Sequence, residues 1–386
     1  MNLLVLPTEV LVMITKALNK ASDMNAFVRT SRMAYIRLNH VLYEFDVQRK
    51  VRKALVWAAQ NNNQRTAKKS LQVGIKSLNK WFQRPLTIML RSGHTDMVRL
   101  LLDEGVDPDT ILYEGSQIAT TALYIAASHG HDAIVNLLIE KGANVNLKNS
   151  PGQPLVVAVS HNKKTVVRIL LEKGADPNAR RYDNMPALCI AVTKGFTEIV
   201  EMLLDKGALT DLGGSWICTP VQEAVRKNRF KITQLLLEKG AAANVGSGDY
   251  RDLPPLLMAM AYGYERLLGL LLKHGANPNA QNAWPLHVAI FDNKIAMVRL
   301  LLAHGADVNR KDSKGRTPLL YAIYQHYDHI VKLLLLYDVD PDAETHSGMT
   351  PLKLAKHYNR VDWVQKLTEK RAERKSRAHN QHLITT

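Results

Sequence analysis

The sequence predicts an all-α solenoid of short helix pairs that follows a small unit of three helices. Two observations predict the solenoid: a glycine that would close a helix recurs about every 33 residues, and an alanine recurs at one position of the preceding helices. Glycine suits this role because it adopts the left-handed conformation without a steric penalty. The closing positions, the last of which lacks glycine, are Gly105, Gly142, Gly174, Gly207, Gly240, Gly275, Gly305 and Asp338. The recurring alanines are Ala126, Ala158, Ala191, Ala224, Ala259, Ala289, Ala322 and Ala355.

One stretch, residues 282–319, contains most of one unit and the start of the next. Pro285 opens a first helix, in which Ala289 leaves room for a neighbouring helix to pass closely. Proline suits the first turn of a helix, where its missing N–H costs no hydrogen bond. A leucine-rich second helix follows, and Gly305 closes it. Thr317, which is well suited to cap a helix, then begins the next unit.

These residues resemble the ankyrin repeat, whose pattern is T-P-L-H-x-A-A, then G-H, then V-x-x-L-L-x-x-G-A-x-x-N. A period of about 33 residues is typical of that family. The repeats are expected over residues 52–367, as nine or ten copies of which the first and the last are degenerate. The first copy places its alanine at Ala58, and Met89 breaks the alanine rule in the second. The resemblance implies helix pairs joined by hairpin-like fingers, stacked in one curved row.

Residues 1–50 do not fit the repeat and predict three short helices. In the first of them, Val10, Ile14 and Leu18 fall at i, i+4 and i+8 and therefore share one apolar face. A core of this size is marginal by itself and would gain stability by docking on another surface.

This unit resembles an F-box, which opens with the pattern L-P-x-E-[VIL]-L-x-x-I-x-x-x-L. The matching residues are Leu6, Pro7, Glu9, Val10, Leu11, Ile14 and Leu18. An F-box followed by ankyrin repeats is similar to a class of proteins common in filamentous fungi. The resemblance implies docking on a Skp-type adaptor of a cullin-RING ubiquitin ligase, through Leu6, Pro7, Val10, Leu11 and Ile14. The alternative is a helical cap that only shields the first repeat.

The other end of the repeats is predicted to be a cap followed by a tail. The second helix of the last repeat, from Arg360 to Lys370, is polar, as a terminal repeat facing water requires. Residues 368–386 hold five Lys/Arg against two Asp/Glu, and we expect this basic tail to be disordered. Unequal spacing of the closing positions also predicts a longer finger around residues 110–120.

The composition is that of a folded protein without a membrane span. No apolar run is long enough to cross a bilayer, and the first residues lack the basic segment of a secretory signal. Cys189 and Cys218 are the only cysteines and do not resemble a disulfide framework. We therefore expect a reducing compartment, cytoplasmic or nuclear.

The net charge of +16 is concentrated near the ends of the chain, because residues 1–70 hold 12 Lys/Arg against 4 Asp/Glu. Such a surplus could favour nucleic acid or an acidic partner. Solvated surface charge is the simpler explanation. The basic residues lack the interleaved aromatic residues of a single-strand binder, so nucleic acid is not the expected partner.

No pattern in the chain indicates catalysis or a cofactor. A phosphate-binding glycine loop, a Rossmann fingerprint and a nucleophile elbow are all absent from the sequence. His94 and His131 follow a glycine that links two helices, and His287 fills the histidine position of the pattern. Each has a structural explanation, and none pairs with Cys or carboxylate at metal-ligand spacing. We therefore expect a protein that is not an enzyme and that binds no metal or cofactor.

Function is then expected on the surface, above all at the finger tips. Exposed Trp, Tyr and Arg are the residues that anchor protein interfaces. The predicted client-binding residues are Arg181, Tyr182, Trp216, Tyr250, Arg251, Trp284, Lys314 and Arg316. Trp216 and Trp284 have an alternative role, since they could instead stack between neighbouring fingers. Trp57 and Trp363 lie within predicted helices and are expected in the core.

Two functions remain. In the first, the chain is a substrate receptor of a cullin-RING ubiquitin ligase, in which the N-terminal unit docks the adaptor. The repeats then hold an unidentified protein client near the ubiquitin-charged enzyme, which raises the effective concentration of the client there. In the second, the chain is an ankyrin-repeat scaffold or inhibitor whose N-terminal helices are only a cap.

Overall fold

A computed structural model describes residues 53–72, 83–114, 118–148, 152–212, 219–246, 253–280 and 285–385. The F-box-like unit predicted for residues 1–50, with Leu6, Pro7, Val10, Leu11 and Ile14, lies outside the described residues. The chain divides into two compact units, the first ending at Asp183 and the second beginning at Asn184. Each unit is built from helix pairs, so the all-α prediction is confirmed for the described repeats.

Unit 1 contains four helix pairs and one hairpin among its described residues. Its helices are α1 (53–60), α2 (Gln64–Gln72), α3 (Gln83–Ser92), α4 (Thr95–Asp103), α5 (Ala122–His129), α6 (Asp132–Glu140), α7 (Pro154–Ser160) and α8 (Lys164–Glu172). The hairpin is the long finger that the sequence predicts. Its antiparallel strands are β1 (Ile111–Glu114) and β2 (Ile118–Thr121), with Ile111 opposite Thr121.

Unit 2 contains six helix pairs among its described residues. They are α9 (Ala187–Lys194), α10 (Thr197–Asp205), α11 (Pro220–Arg226), α12 (Phe230–Glu238), α13 (Pro255–Ala261), α14 (Glu265–Lys273), α15 (Pro285–Phe291), α16 (Ile295–Ala303), α17 (Pro318–Tyr324), α18 (Asp328–Leu334), α19 (Pro351–His357) and α20 (Val361–Thr385). Within each unit, from α3 onward, the first helix of a pair packs against the first helix of the next pair, and the second helices do the same as far as α18.

The structure confirms the residues that were predicted to close, cap and pack the helices of the repeats. The seven closing glycines have φ between +84° and +95°, in the left-handed region. Thr317 caps α17 by accepting a hydrogen bond from the Leu320 N–H. All eight recurring alanines are buried where first helices meet. The repeat that lacks the glycine closes differently, because α18 ends at Leu334, four residues before Asp338.

A ladder of asparagines joins neighbouring repeats. In unit 2 the Asn279 amide donates to Gly305 O at 2.9 Å and accepts from the Asp307 N–H at 2.8 Å. Asn244 and Asn309 make the same pair of bonds to the repeats that follow them. Each asparagine side chain therefore forms hydrogen bonds with the closing loop of the next repeat, whose backbone groups have no partner within a helix.

Removing one of these asparagine side chains should destabilise unit 2. We expect Asn279→Ala to lower the free energy of unfolding by about 1–2 kcal/mol, since it removes two hydrogen bonds. Asn279→Asp should cost less, because a carboxylate still accepts from the Asp307 N–H. Urea unfolding of the two variants and the wild type measures the difference. Equal stability of all three would show that the ladder contributes nothing.

The C-terminal tail differs from its prediction. Residues 368–385 continue the last helix, α20, instead of forming a disordered tail. Two ion pairs join this helix to the preceding loop: Arg371 Nε lies 2.9 Å from Asp342 Oδ1, and Arg374 Nη1 lies 2.8 Å from Asp340 Oδ1. The prediction of disorder used only the composition of residues 368–386. It missed these ion pairs because the aspartate partners are about thirty residues away along the chain.

Candidate functional site

Half of the predicted client-binding residues can be placed. Trp216, Tyr250, Arg251 and Trp284 lie outside the described residues. Tyr182 is 78% exposed at the end of unit 1. Arg181 beside it forms an ion pair with Asp183, whose hydrogen bond raises the pKa of the guanidinium. Tyr182 is thus accessible to a partner, while Arg181 already has a carboxylate partner.

The other two predicted residues, Lys314 and Arg316, lie on the finger between α16 and α17. Arg316 pairs with Asp312 at 2.7 Å, and its guanidinium lies over the Tyr321 ring, 4.7 Å from the centroid. Burial of Asp312 would raise the pKa of its carboxyl group, but hydrogen bonds from Arg316 and Lys314 outweigh burial and lower it. Arg316 therefore supports the finger, whereas the Lys314 side chain is exposed.

Unit 2 also carries a row of exposed aromatic side chains that the sequence reasoning did not select. Tyr262, Phe291 and Tyr324 are 51%, 67% and 54% exposed. Each lies two or three residues after the recurring alanine, at the end of α13, α15 or α17. Since these three first helices pack side by side in order, the three rings occupy successive repeats. We call these three residues the aromatic row.

Helical periodicity explains why Phe291 is exposed. Val288 and Phe291 on α15, and Asp292 directly after it, fall at i, i+3 and i+4, so they share a face, and all three are exposed. Ala289 and Ile290 lie between them in sequence and are buried. The face is therefore an open side of the first helix, not a gap in its packing.

A buried ring supports Phe291. Tyr321 on α17 is almost fully buried, and its ring centroid lies 6.2 Å from that of Phe291 at an interplanar angle of 26°. Rings at this separation attract each other beyond the gain from burial alone. Phe291 is thus held against the neighbouring repeat while most of its surface stays open to solvent.

The corresponding positions of unit 1 are polar. The residues two and three places after the alanine position are Gln60 and Asn61 on α1, Arg91 and Ser92 on α3, Ser128 and His129 on α5, and Ser160 and His161 on α7. The first two pairs of unit 2 are polar there as well, with Thr193 and Lys194 after Ala191 and with Arg226 and Lys227 after Ala224, so the aromatic row is confined to three successive repeats. The change from polar to aromatic residues two or three places after the alanine was visible in the sequence and was the signal that could have found the row.

Two tryptophan predictions have opposite outcomes. Trp363 is buried in α20, as expected. The prediction for Trp57 is wrong, because its side chain is 50% exposed. Trp57 directly precedes Ala58, as Val288 precedes Ala289, and so occupies the open side of its helix.

The histidines make structural contacts. His94 Nδ1 lies 2.9 Å from Ala59 O, and His131 Nε2 lies 2.9 Å from Arg91 O. His287 Nε2 lies 3.1 Å from Arg316 O, and burial lowers the pKa of its ring. Each ring links its repeat to a neighbour. Among the described residues, no group of three His, Cys, Asp or Glu side chains could hold a metal ion, and no helix could span a membrane.

Comparison with protein families decides the classification. Models described as "Ankyrin repeats (3 copies)" match residues 55–149, 110–181, 150–213 and 286–378, and one described as "Ankyrin repeat" matches residues 252–283. The chain belongs to the ankyrin-repeat family. No F-box is detected in this ankyrin-repeat protein, so the resemblance of residues 1–50 is unsupported by the family models.

Known proteins resemble parts of the chain. Human "Ankyrin repeat and SOCS box protein 6" is 44% identical over 61 residues, which is 15% of this chain and 14% of that protein. Mouse "Rabankyrin-5" is 37% identical over 78 residues, 19% of this chain and 7% of that protein. The chain thus spans less than a fifth of the length of either relative.

Among solved structures, the crystal structure of the human ASB11 ankyrin repeat domain is 26% identical to this chain. The alignment covers 56% of this chain and 98% of that domain, with a TM-score of 0.43. The ankyrin repeats indicate a module for protein–protein interaction, and a protein client is the partner that they imply.

Proposed function

We propose that this ankyrin-repeat protein holds its protein client on the aromatic row of unit 2. The observation that carries the proposal is the exposure of Tyr262, Phe291 and Tyr324 on three successive first helices. Single exposed apolar residues are common, but a contiguous group of them usually marks a partner site. Tyrosine and phenylalanine are also enriched at the cores of protein interfaces.

The row is a better candidate than the predicted finger tips. Arg181 and Arg316 each pair with an aspartate of their own finger. A partner that recruited either guanidinium would have to replace an existing ion pair, which reduces the gain from the new contact. A partner that contacts the rings of the aromatic row has no ion pair to replace. Tyr182 remains the strongest of the described finger-tip residues because it is aromatic and 78% exposed.

We also propose that the chain delivers this client to a cullin-RING ubiquitin ligase. The support is the Leu6-Pro7-x-Glu9 pattern, which opens an apolar helical face that docking on a Skp-type adaptor would cover. Such a receptor is not an enzyme and needs no cofactor, since it acts by raising the local concentration of client near the ligase. The expected place is the cytoplasm or nucleus, which is consistent with only two cysteines.

Leu6→Ala combined with Pro7→Ala should weaken adaptor binding by at least about tenfold. Each fully buried apolar side chain is worth about 1.5–3 kcal/mol, and both lose part of that contribution. Titration of a purified Skp-type adaptor against wild type and double variant measures the effect. Circular dichroism should be unchanged, because the repeats begin after this segment. Equal affinities, or no binding by the wild type, would remove the ligase proposal.

A scaffold or inhibitor whose N-terminal helices are only a cap is the second candidate, favoured by the lack of a detected F-box. Affinity capture from cell extract, with wild type and the Leu6→Ala/Pro7→Ala variant as baits, separates the two functions. Adaptor and cullin that are recovered only with the wild type support the receptor. Clients recovered equally by both baits, with no ligase component in either sample, support the scaffold.

A further inference from the structure

We propose that the segment bound by the aromatic row is acidic as well as apolar: a stretch of a partner protein with large apolar side chains along one edge and Asp or Glu along the other. This inference rests on the proposed client site. The juxtaposition that carries it is a strongly basic finger in contact with the residues that support the row.

The finger is residues 310–316, here called the basic finger. It contains Arg310, Lys311, Lys314 and Arg316 but only one acid, Asp312, so its net charge is +3. Seven residues with this surplus make a local positive potential that attracts carboxylates and repels basic segments.

Contacts tie the basic finger to the aromatic row. The Arg316 guanidinium lies 4.7 Å from the centroid of Tyr321, whose ring in turn lies 6.2 Å from that of Phe291. On the same helix as Phe291, His287 Nε2 donates to Arg316 O across 3.1 Å, since a carbonyl oxygen can only accept. The basic finger therefore packs against the residues of unit 2 that support Phe291.

Three of the four cations of the basic finger contact other groups of unit 2. Arg310 donates to Asn279 O and Lys311 donates to Glu344 O, both at 2.9 Å. Arg316 forms an ion pair with Asp312. The ammonium group of Lys314 is exposed and makes no hydrogen bond or ion pair with a described residue. Lys314 is thus the cation best placed for a partner's carboxylate.

The positions of the basic finger and of Asp292 also predict where the acidic groups of the partner lie. α15 itself contains no acid, and Asp292 directly follows Phe291, at the far end of the helix from the finger. Partner carboxylates would be repelled there and attracted at the finger. Aromatic and basic groups together could also suit single-stranded nucleic acid. A protein segment is favoured because the repeats imply a protein client and because Asp292 would repel phosphate.

Selection of peptides from a phage-displayed random 16-residue library tests the inference. The full chain is the target, and phage that also bind the Phe291→Ala/Tyr324→Ala variant are discarded. We expect the enriched peptides to be acidic and to carry at least two large apolar residues. Fluorescence anisotropy of one labelled peptide then gives its affinity for each variant. Lys314→Glu should weaken binding by about fivefold, and added salt should weaken the wild type more than this variant.

Lys332→Glu is the matched control, because Lys332 is exposed on α18, the second helix of its pair, and should leave affinity unchanged. Selected peptides that are neutral or basic, or equal affinities for wild type and Lys314→Glu, would overturn this inference while the client site stands. A labelled single-stranded oligonucleotide that binds more tightly than every selected peptide would also overturn it. If no peptide depends on Phe291 and Tyr324, the client site itself is wrong.

Discussion

Replacing both Phe291 and Tyr324 with alanine should weaken client binding by about a hundredfold. More than half of each side chain is open to solvent, and fully burying a large apolar side chain is worth about 1.5–3 kcal/mol. Covering the exposed parts of two rings therefore contributes roughly 3 kcal/mol, or about two orders of magnitude in affinity. Aromatic residues at the centre of an interface commonly have effects of this size.

Isothermal titration with a client recovered by affinity capture measures the loss, and circular dichroism and thermal melting check the fold. Leu336→Ala is the matched control, since Leu336 is 77% exposed but lies after α18 and away from the row. Tyr182→Ala tests the finger-tip prediction in the same assay. Binding that is lost with Tyr182 and retained without Phe291 and Tyr324 would place the client on the finger tip instead.

Ala289→Leu should lower the free energy of unfolding by about 1–3 kcal/mol, because added carbon atoms must displace a neighbouring first helix. Ala289 is buried on α15, which packs between α13 and α17. Ala261→Leu makes the same substitution at an exposed position of α13 and should be nearly neutral. Urea unfolding of both variants tests the contrast, and similar midpoints would contradict the packing of the recurring alanines.

Local chemistry explains why most of the repeat architecture could be predicted. Gly305 closes a helix because of its own backbone freedom, and Thr317 caps one through a residue three places away. Ala289 is buried because every first helix must pass close to its neighbours. Such features repeat with a fixed period, so each copy supports the assignment of the others.

Contacts with distant residues explain what was missed. α20 continues to Thr385 while Arg371 and Arg374 pair with Asp342 and Asp340, which belong to the loop before α19. A prediction from composition sees only the basic charges of the tail. The ion pairs exist because the fold brings that loop beside the helix.

The sequence by itself determined the repeat family, the helix pairs and the absence of a recognisable catalytic motif, because these depend on residue type and spacing. The tertiary structure decided which side chains a partner can reach. Trp57, Val288 and Tyr321 all directly precede the alanine position, yet the first two are exposed and Tyr321 is buried. Tyr321 lies against Arg316 and Phe291, which come from the preceding finger and helix. Exposure at one repeat position therefore depends on side chains of the neighbouring repeats, which no local pattern specifies.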